Sequence, residues 1–233
     1  MMPEFEIFGL TFPSYWTMCA VGMLLIVAMS WLRADVYGIT FLKALILALC
    51  IDVFGVAGVM LLGFIQSGFR EWNNSFMGAM LFTPLFVALA GLALKIKPGK
   101  ATAFSAAPIS VMGACMKIGC YLSGCCGGIV IGAYRVPVQL IESGVSLLIA
   151  AALLVMERRP GRYRFVFPTY MVLYGATRFA LEYLRDTEKN LLGMSMGQIT
   201  ALVVLIIGAA FIILFAVKGR IKKSASFGKE RTA

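Results

Sequence analysis

Residues 39–64 read ITFLKALILALCIDVFGVAGVMLLGF, and only Lys43 and Asp52 among these 26 residues carry charge. As a helix the stretch extends about 39 Å at 1.5 Å per residue, more than the ~30 Å hydrocarbon core of a bilayer. A helix apolar on every face is buried, and at such a length in a chain of 233 residues it reads as a membrane span. Lys43 lies close enough to one end to extend its amine toward water. Asp52 lies near the middle and has to face protein or water, as a hydrogen-bond acceptor or as part of a site. Gly55, Gly58 and Gly63 supply places where a second helix can approach closely.

The surrounding sequence repeats this pattern. Apolar runs of spanning length occur at 15–32, 39–64, 76–94, 104–124, 138–156, 165–184 and 197–217. The expected fold is therefore all-α: a polytopic membrane protein of seven transmembrane helices, with one domain over 1–217. Residues 218–233 form a polar, basic tail expected to be cytoplasmic and disordered. Pro84, Pro108 and Pro168 fall inside runs, where neighbouring helices have to satisfy the freed carbonyls. The first 14 residues hold two glutamates and no Lys or Arg, and the first basic residue, Arg33, follows the first apolar run. A cleaved secretory signal has the opposite order.

Net charge is +10, but position decides what it means. The loops on one side carry Arg70, Arg135, Arg185 and Lys189; the other side carries fourteen Lys and Arg, six of them in 218–233. That asymmetry predicts the N-terminus outside and the C-terminus inside. No basic groove is interleaved with aromatics, so no nucleic-acid partner is expected. The sequence has no histidine, which excludes His-based catalytic triads and most zinc sites.

Three polar stretches fall at the same end of their runs. MKIGCYLSGCCGG (116–128) closes the fourth, RVPVQLIES (135–143) opens the fifth, and YGATRFALEYLRDTEKNLLGMSMGQ (174–198) closes the sixth and opens the seventh. Tyr174, Arg178, Glu182 and Arg185 are spaced by four, four and three, which places them on one helix face. Lys117, Arg135, Gln139, Glu142, Arg178, Glu182, Arg185 and Gln198 are candidates to line one cavity with a surplus of positive charge. Such a surplus suits an anionic ligand such as a phospholipid headgroup, since the Arg fork donates two parallel hydrogen bonds to phosphate. Cys120, Cys125 and Cys126 follow C-x4-CC, which matches no usual zinc spacing, so neither metal nor cofactor is expected. Gly124 and its neighbouring glycines are read as letting backbone approach the ligand.

YGATRFALEYLRDTE followed by MGQ, with PVQLIES and KIGCYLSGCCGG before it, resembles the prolipoprotein diacylglyceryl transferase family. The resemblance runs from about Tyr15 to about Phe215. It implies an enzyme of the bacterial cytoplasmic membrane with its site toward the outer face. That enzyme moves the diacylglyceryl group of phosphatidylglycerol to the lipobox cysteine of preprolipoproteins. Its partners are then phosphatidylglycerol and preprolipoprotein signal peptides. By position it implies catalytic roles for Arg178, Glu182 and Tyr15. It implies phospholipid binding by Lys117, Arg178, Arg185, Gln139, Glu142, Gln198 and Gly124. The chain departs from the family where Met77 replaces the histidine of a His-Gly-Gly motif and Ala79 its second glycine. Lys117 replaces an arginine, Cys120 an asparagine, Cys125 an acidic residue, and Val136 another histidine. A relative with another lipid or acceptor, a non-catalytic binder of anionic lipid, and a small-solute transporter remain alternatives on sequence alone.

Overall fold

The computed structural model describes residues 3–7, 10–72, 75–159, 161–187 and 193–230, with backbone alone at 7, 10 and 221–230. A short antiparallel hairpin, β1 (Glu4–Ile7) and β2 (Leu10–Pro13), leads into α1 (Ser14–Tyr37). Then follow α2 (Phe41–Gln66), α3 (Met77–Ala93) and α4 (Pro98–Leu122). A two-residue pair, β3 (Val130–Ile131) and β4 (Tyr134–Arg135), precedes α5 (Val138–Glu157). Helix α6 (Tyr163–Leu181) tightens into one 3-10 turn, Glu182–Leu184, and α7 covers Met196–Glu230.

The protein is an all-α polytopic membrane protein. Among the described residues, α1, α2, α4, α5 and residues 196–220 of α7 can cross a bilayer by length and composition, five helices where seven crossings were expected. Helix α3 is apolar but has 17 residues. At 1.5 Å per residue it reaches about 26 Å, short of a ~30 Å core. Helix α6 carries Arg164 and Arg178 and ends at Leu181, so its apolar stretch is interrupted at both ends. The backbone of α7 runs unbroken to Glu230, with no change at the expected 217/218 boundary.

Helix α4 lies at the centre, packed against α1, α3, α5 and α6. Its sequence explains the position: Ala101, Ala103, Ala106, Ala107, Gly113 and Ala114 are buried and small enough to let four neighbours approach. The close contact expected of the glycines in 39–64 is made at Gly58. A Cβ there would lie 2.7 Å from the Gly78 carbonyl oxygen, so the α2 and α3 backbones touch. Pro84, Pro108 and Pro168 are all accommodated inside helices.

One end of the bundle is tied by a buried ion pair. Arg33 donates from Nε to Glu157 (2.7 Å) and from Nη1 to the Phe104 carbonyl (2.9 Å), while its Nη2 pairs with the other Glu157 oxygen. Tyr37 donates to the same carboxylate at 2.8 Å. This clamp joins α1, α4 and α5. Removing one partner of such a pair strands the other, at about 3–5 kcal/mol.

Candidate functional site

The other end of the bundle holds a cavity of about 470 Å³. Its walls include Tyr15 from α1, Lys117 and Cys120 from α4, and Arg178, Glu182 and Arg185 from the end of α6. Of the three polar sequence stretches, 116–128 and 174–198 line this cavity, while 135–143 meets them through Glu142, which pairs with Lys117, Arg178 and Arg185. A second, mostly apolar cavity of about 290 Å³ adjoins it and shares Tyr15, Phe76 and Met116 with it. Asp52 lines this second cavity, and its Oδ1 is buried without a hydrogen-bond partner among the described residues.

Two carboxylates organise the cations. Glu142, 5% exposed, accepts from Arg178 Nη1 at 2.7 Å and Arg185 Nη1 at 3.0 Å, and pairs with Lys117 Nζ through its other oxygen. Glu182 pairs with Arg178 Nη2 at 2.8 Å and accepts from Ser195 Oγ at 2.7 Å. Arg178 is thus held between carboxylates from two helices, with its guanidinium orientation fixed. Three cations face two carboxylates, a net charge of +1. Arg135, counted with this group from sequence, is exposed on β4 and does not line the cavity. At Arg185, burial opposes the charge but Glu142 and Glu182 outweigh it, holding the guanidinium protonated more firmly than usual.

Several predicted ligand residues make defined contacts within the protein. Gln198 is 2% exposed. It accepts from the Ser195 backbone N–H, while Ser195 Oγ accepts from the Gln198 backbone N–H, both at 3.1 Å. This reciprocal pair is a capping box, S-x-x-Q, that starts α7. Gln139 donates to the Cys125 carbonyl at 2.7 Å, anchoring the loop after α4. Gly124 takes φ +73° where the chain reverses after α4. Gly197 is needed for proximity: a Cβ there would lie 2.5 Å from Glu182 Oε1.

The loop after α4 is fixed on both sides. A Cβ on Gly128 would lie 2.6 Å from the Val136 carbonyl oxygen and 2.7 Å from that of Leu184. Its N–H donates to Val136 O, and the next N–H, of Ile129, donates to Leu184 O. Of the glycines expected to admit a ligand, Gly128 admits neighbouring backbone and Gly127 the Arg135 side chain. Cys126, in the same loop, has φ +59°, a conformation that costs a residue with a Cβ about 1–2 kcal/mol. The sulfurs of Cys120, Cys125 and Cys126 all lie within 4.8 Å of one another, and all three residues line the cavity. The Cys126 thiol is drawn well below the ordinary range, first by its hydrogen bond with Cys120 and then by Arg185, Cys125 and Lys117 acting against burial.

Met77, where the resembling family has histidine, is buried and lines the cavity, as do Ser75, Phe76 and Thr200. No local pattern marks Ser75 or Thr200; folding brings them from separate helix starts.

The family model described as prolipoprotein diacylglyceryl transferase matches residues 4–214. The phosphatidylglycerol–prolipoprotein diacylglyceryl transferases of Streptococcus pyogenes serotypes M3 and M5 are each 30% identical to it over 101 residues. That similarity covers 42% of this chain and 38% of each relative, well under half the length of those proteins.

Proposed function

Because the chain belongs to the prolipoprotein diacylglyceryl transferase family, we propose that it transfers the diacylglyceryl group of phosphatidylglycerol to the lipobox cysteine thiol of preprolipoproteins. The observation that carries this reading is a cation-lined cavity beside an apolar one, with Tyr15, Phe76 and Met116 lining both. A phospholipid has the same two-part chemistry. Lys117, Arg178 and Arg185 hold the phosphate, and the acyl chains occupy the apolar side. The acceptor sulfur attacks the glyceryl carbon bonded to the phosphate oxygen. A carbon–sulfur bond forms, the carbon–oxygen bond breaks, and the oxygen leaves with the electron pair as glycerol phosphate. The cations stabilise charge that grows on that oxygen. Glu142 and Glu182 keep the cations aimed before substrate arrives, so little reorganisation is needed at the moment of reaction.

In this reading the protein makes seven crossings in the bacterial cytoplasmic membrane. The N-terminus is outside, the C-terminus inside, and the cavity lies toward the outer face, as the fourteen-to-four split of loop charges supports. The acceptor thiol needs help, because a free thiol of pKa ~8.5 is only about 3% ionised at pH 7. Met77 cannot supply a base. A second reading, a relative that uses a different acceptor or lipid, is favoured by that residue alone. The test is a vesicle assay with labelled phosphatidylglycerol and a lipobox peptide. Label should move to the peptide thiol with wild type and not with Arg178→Ala. No transfer by wild type, or equal transfer by the variant, overturns the reading.

A further inference from the structure

We propose that Cys120, Cys125 and Cys126 form a zinc site whose open fourth position takes the acceptor thiol, which rests on the transferase reading above. The three are neighbours in sequence, but C-x4-CC matches no usual zinc spacing. Cys120 lies in the last turn of α4 and is 8% exposed, while the other two follow the reversal at Gly124. The backbone N–H of Cys125 donates to the Cys120 carbonyl at 3.1 Å, folding the loop back over the helix end. The carbonyl of Cys125 is held by Gln139, and Gly128 is held between two other segments. The result is three sulfurs within 4.8 Å on a braced loop. A tetrahedral ion about 2.3 Å from each sulfur sets them about 3.8 Å apart, so small side-chain rotations suffice.

The ligand chemistry selects the ion. Three thiolates and no carboxylate or imidazole suit a soft or borderline cation, zinc before magnesium or calcium. Three protein ligands leave one tetrahedral position for a water or a substrate atom, the pattern of reactive rather than structural zinc sites. That position faces the cavity, since all three cysteines line it beside Lys117, Arg178 and Arg185. Three thiolates and one divalent ion carry a net charge of −1, which the net +1 of Lys117, Arg178 and Arg185 with their two carboxylates offsets.

A thiol that coordinates zinc is deprotonated outright. The acceptor S–H proton passes to water as the sulfur replaces water on the ion. The sulfur then uses an electron pair to form the bond to the glyceryl carbon while the phosphate oxygen departs. The product is a thioether, a weak zinc ligand, so it leaves and reopens the position. The site thereby performs the thiol activation for which the sequence provides no histidine.

The test uses the full chain in detergent under a phosphine reductant, with Zn²⁺ and Co²⁺ as probes. Wild type should retain about one equivalent of Zn²⁺ through desalting. Its Co²⁺ form should show the intense thiolate-to-cobalt charge-transfer absorption. Cys125→Ser and Cys126→Ser should each lose both, and Cys50→Ser should keep both. Thermal unfolding of all variants identifies any that fail to fold; Cys125→Ser alone is decisive if Cys126→Ser is among them. A lipobox peptide should intensify the cobalt band, and its Cys→Ser version should not. Stripping the metal should slow transfer up to about 30-fold at pH 7, the gain available from full ionisation. No retained Zn²⁺ and no cobalt band overturn the proposal, as does retention by Cys125→Ser. Full transfer by stripped protein sinks the proposal and leaves the transferase reading standing. A zinc site that ligates the peptide without any transfer sinks the transferase reading.

Discussion

Replacing Gly197 with alanine tests whether the alignment of Arg178 is what the bundle is built to maintain. The new Cβ would lie 2.5 Å from Glu182 Oε1 and 2.9 Å from its Cδ. Ordinary contact begins at 3.4 Å, so the carboxylate or the start of α7 has to move by about 0.9 Å. Rotation of the carboxylate alone offers little relief. Oε1 is held by Ser195 at 2.7 Å and Oε2 by Arg178 at 2.8 Å. A shift of that size stretches the Arg178 pair beyond hydrogen-bonding distance and frees the guanidinium to follow Glu142. Overpacking of this kind destabilises by about 1–3 kcal/mol, and a 1 Å misplacement near the chemistry can slow a reaction about 100-fold. The expected outcome is a 10- to 100-fold loss of kcat/KM, with a modest fall in thermal stability. The assay is transfer of labelled diacylglyceryl to a lipobox peptide, normalised to folded protein. Gly144→Ala is the control, because a Cβ there meets nothing within 4 Å. A Gly197→Ala rate equal to wild type would refute the reasoning.

Four other outcomes follow from the same contacts. Glu142→Ala leaves Lys117, Arg178 and Arg185 without their shared carboxylate, so melting in detergent should show a loss of about 3–5 kcal/mol. Ser195→Ala removes both a cap and a Glu182 hydrogen bond, and should cost about 1–2 kcal/mol with slower transfer, readable from unfolding and rate together. Glu157→Ala should destabilise by about 3–5 kcal/mol while leaving KM for phosphatidylglycerol unchanged, since that clamp lies at the opposite end of the bundle. Arg178→Lys should recover little of the activity lost in Arg178→Ala, because one ammonium cannot reproduce a fork that reaches Glu142 and Glu182 together.

The long apolar helices were legible because hydropathy is a local property, and 39–64 reads the same in isolation as in the bundle. The two expected crossings at α3 and α6 were less so. Helix α3 has 17 residues, and the apolar run of α6 holds Arg178 and gives way to a 3-10 turn after Leu181. The Arg178–Glu182–Arg185 stripe was visible from spacing alone. The carboxylate that gathers it, Glu142, is separated from Arg178 by 36 positions, and its position in the polar stretch did not reveal its three partners. The Ser195–Gln198 capping box was available in the sequence as S-x-x-Q and passed as ligand chemistry because MGQ drew attention to a motif. The Arg33–Glu157 clamp was hidden because both residues sit at run ends, where charges read as solvated, and 124 positions separate them. The three cysteines were visible as neighbours in sequence, but not the reversal at Gly124 that brings their sulfurs within 4.8 Å of one another.

Gly128 makes the sulfur-bearing loop and the segment leading into Arg185 a single mechanical part. Its backbone lies between the carbonyls of Val136 and Leu184, with hydrogen bonds in both directions. Neither side can be displaced without dragging the other. Whatever orders Arg185 therefore also orders the sulfurs, and whatever seats on the sulfurs tightens Arg185. Thermodynamic linkage makes the two effects equal in free energy. A bound phosphate group should raise affinity at the thiol loop by the same factor that loop occupancy raises affinity for phosphate. If the transferase reading holds, such coupling would favour the complex with both substrates over unproductive binding of one.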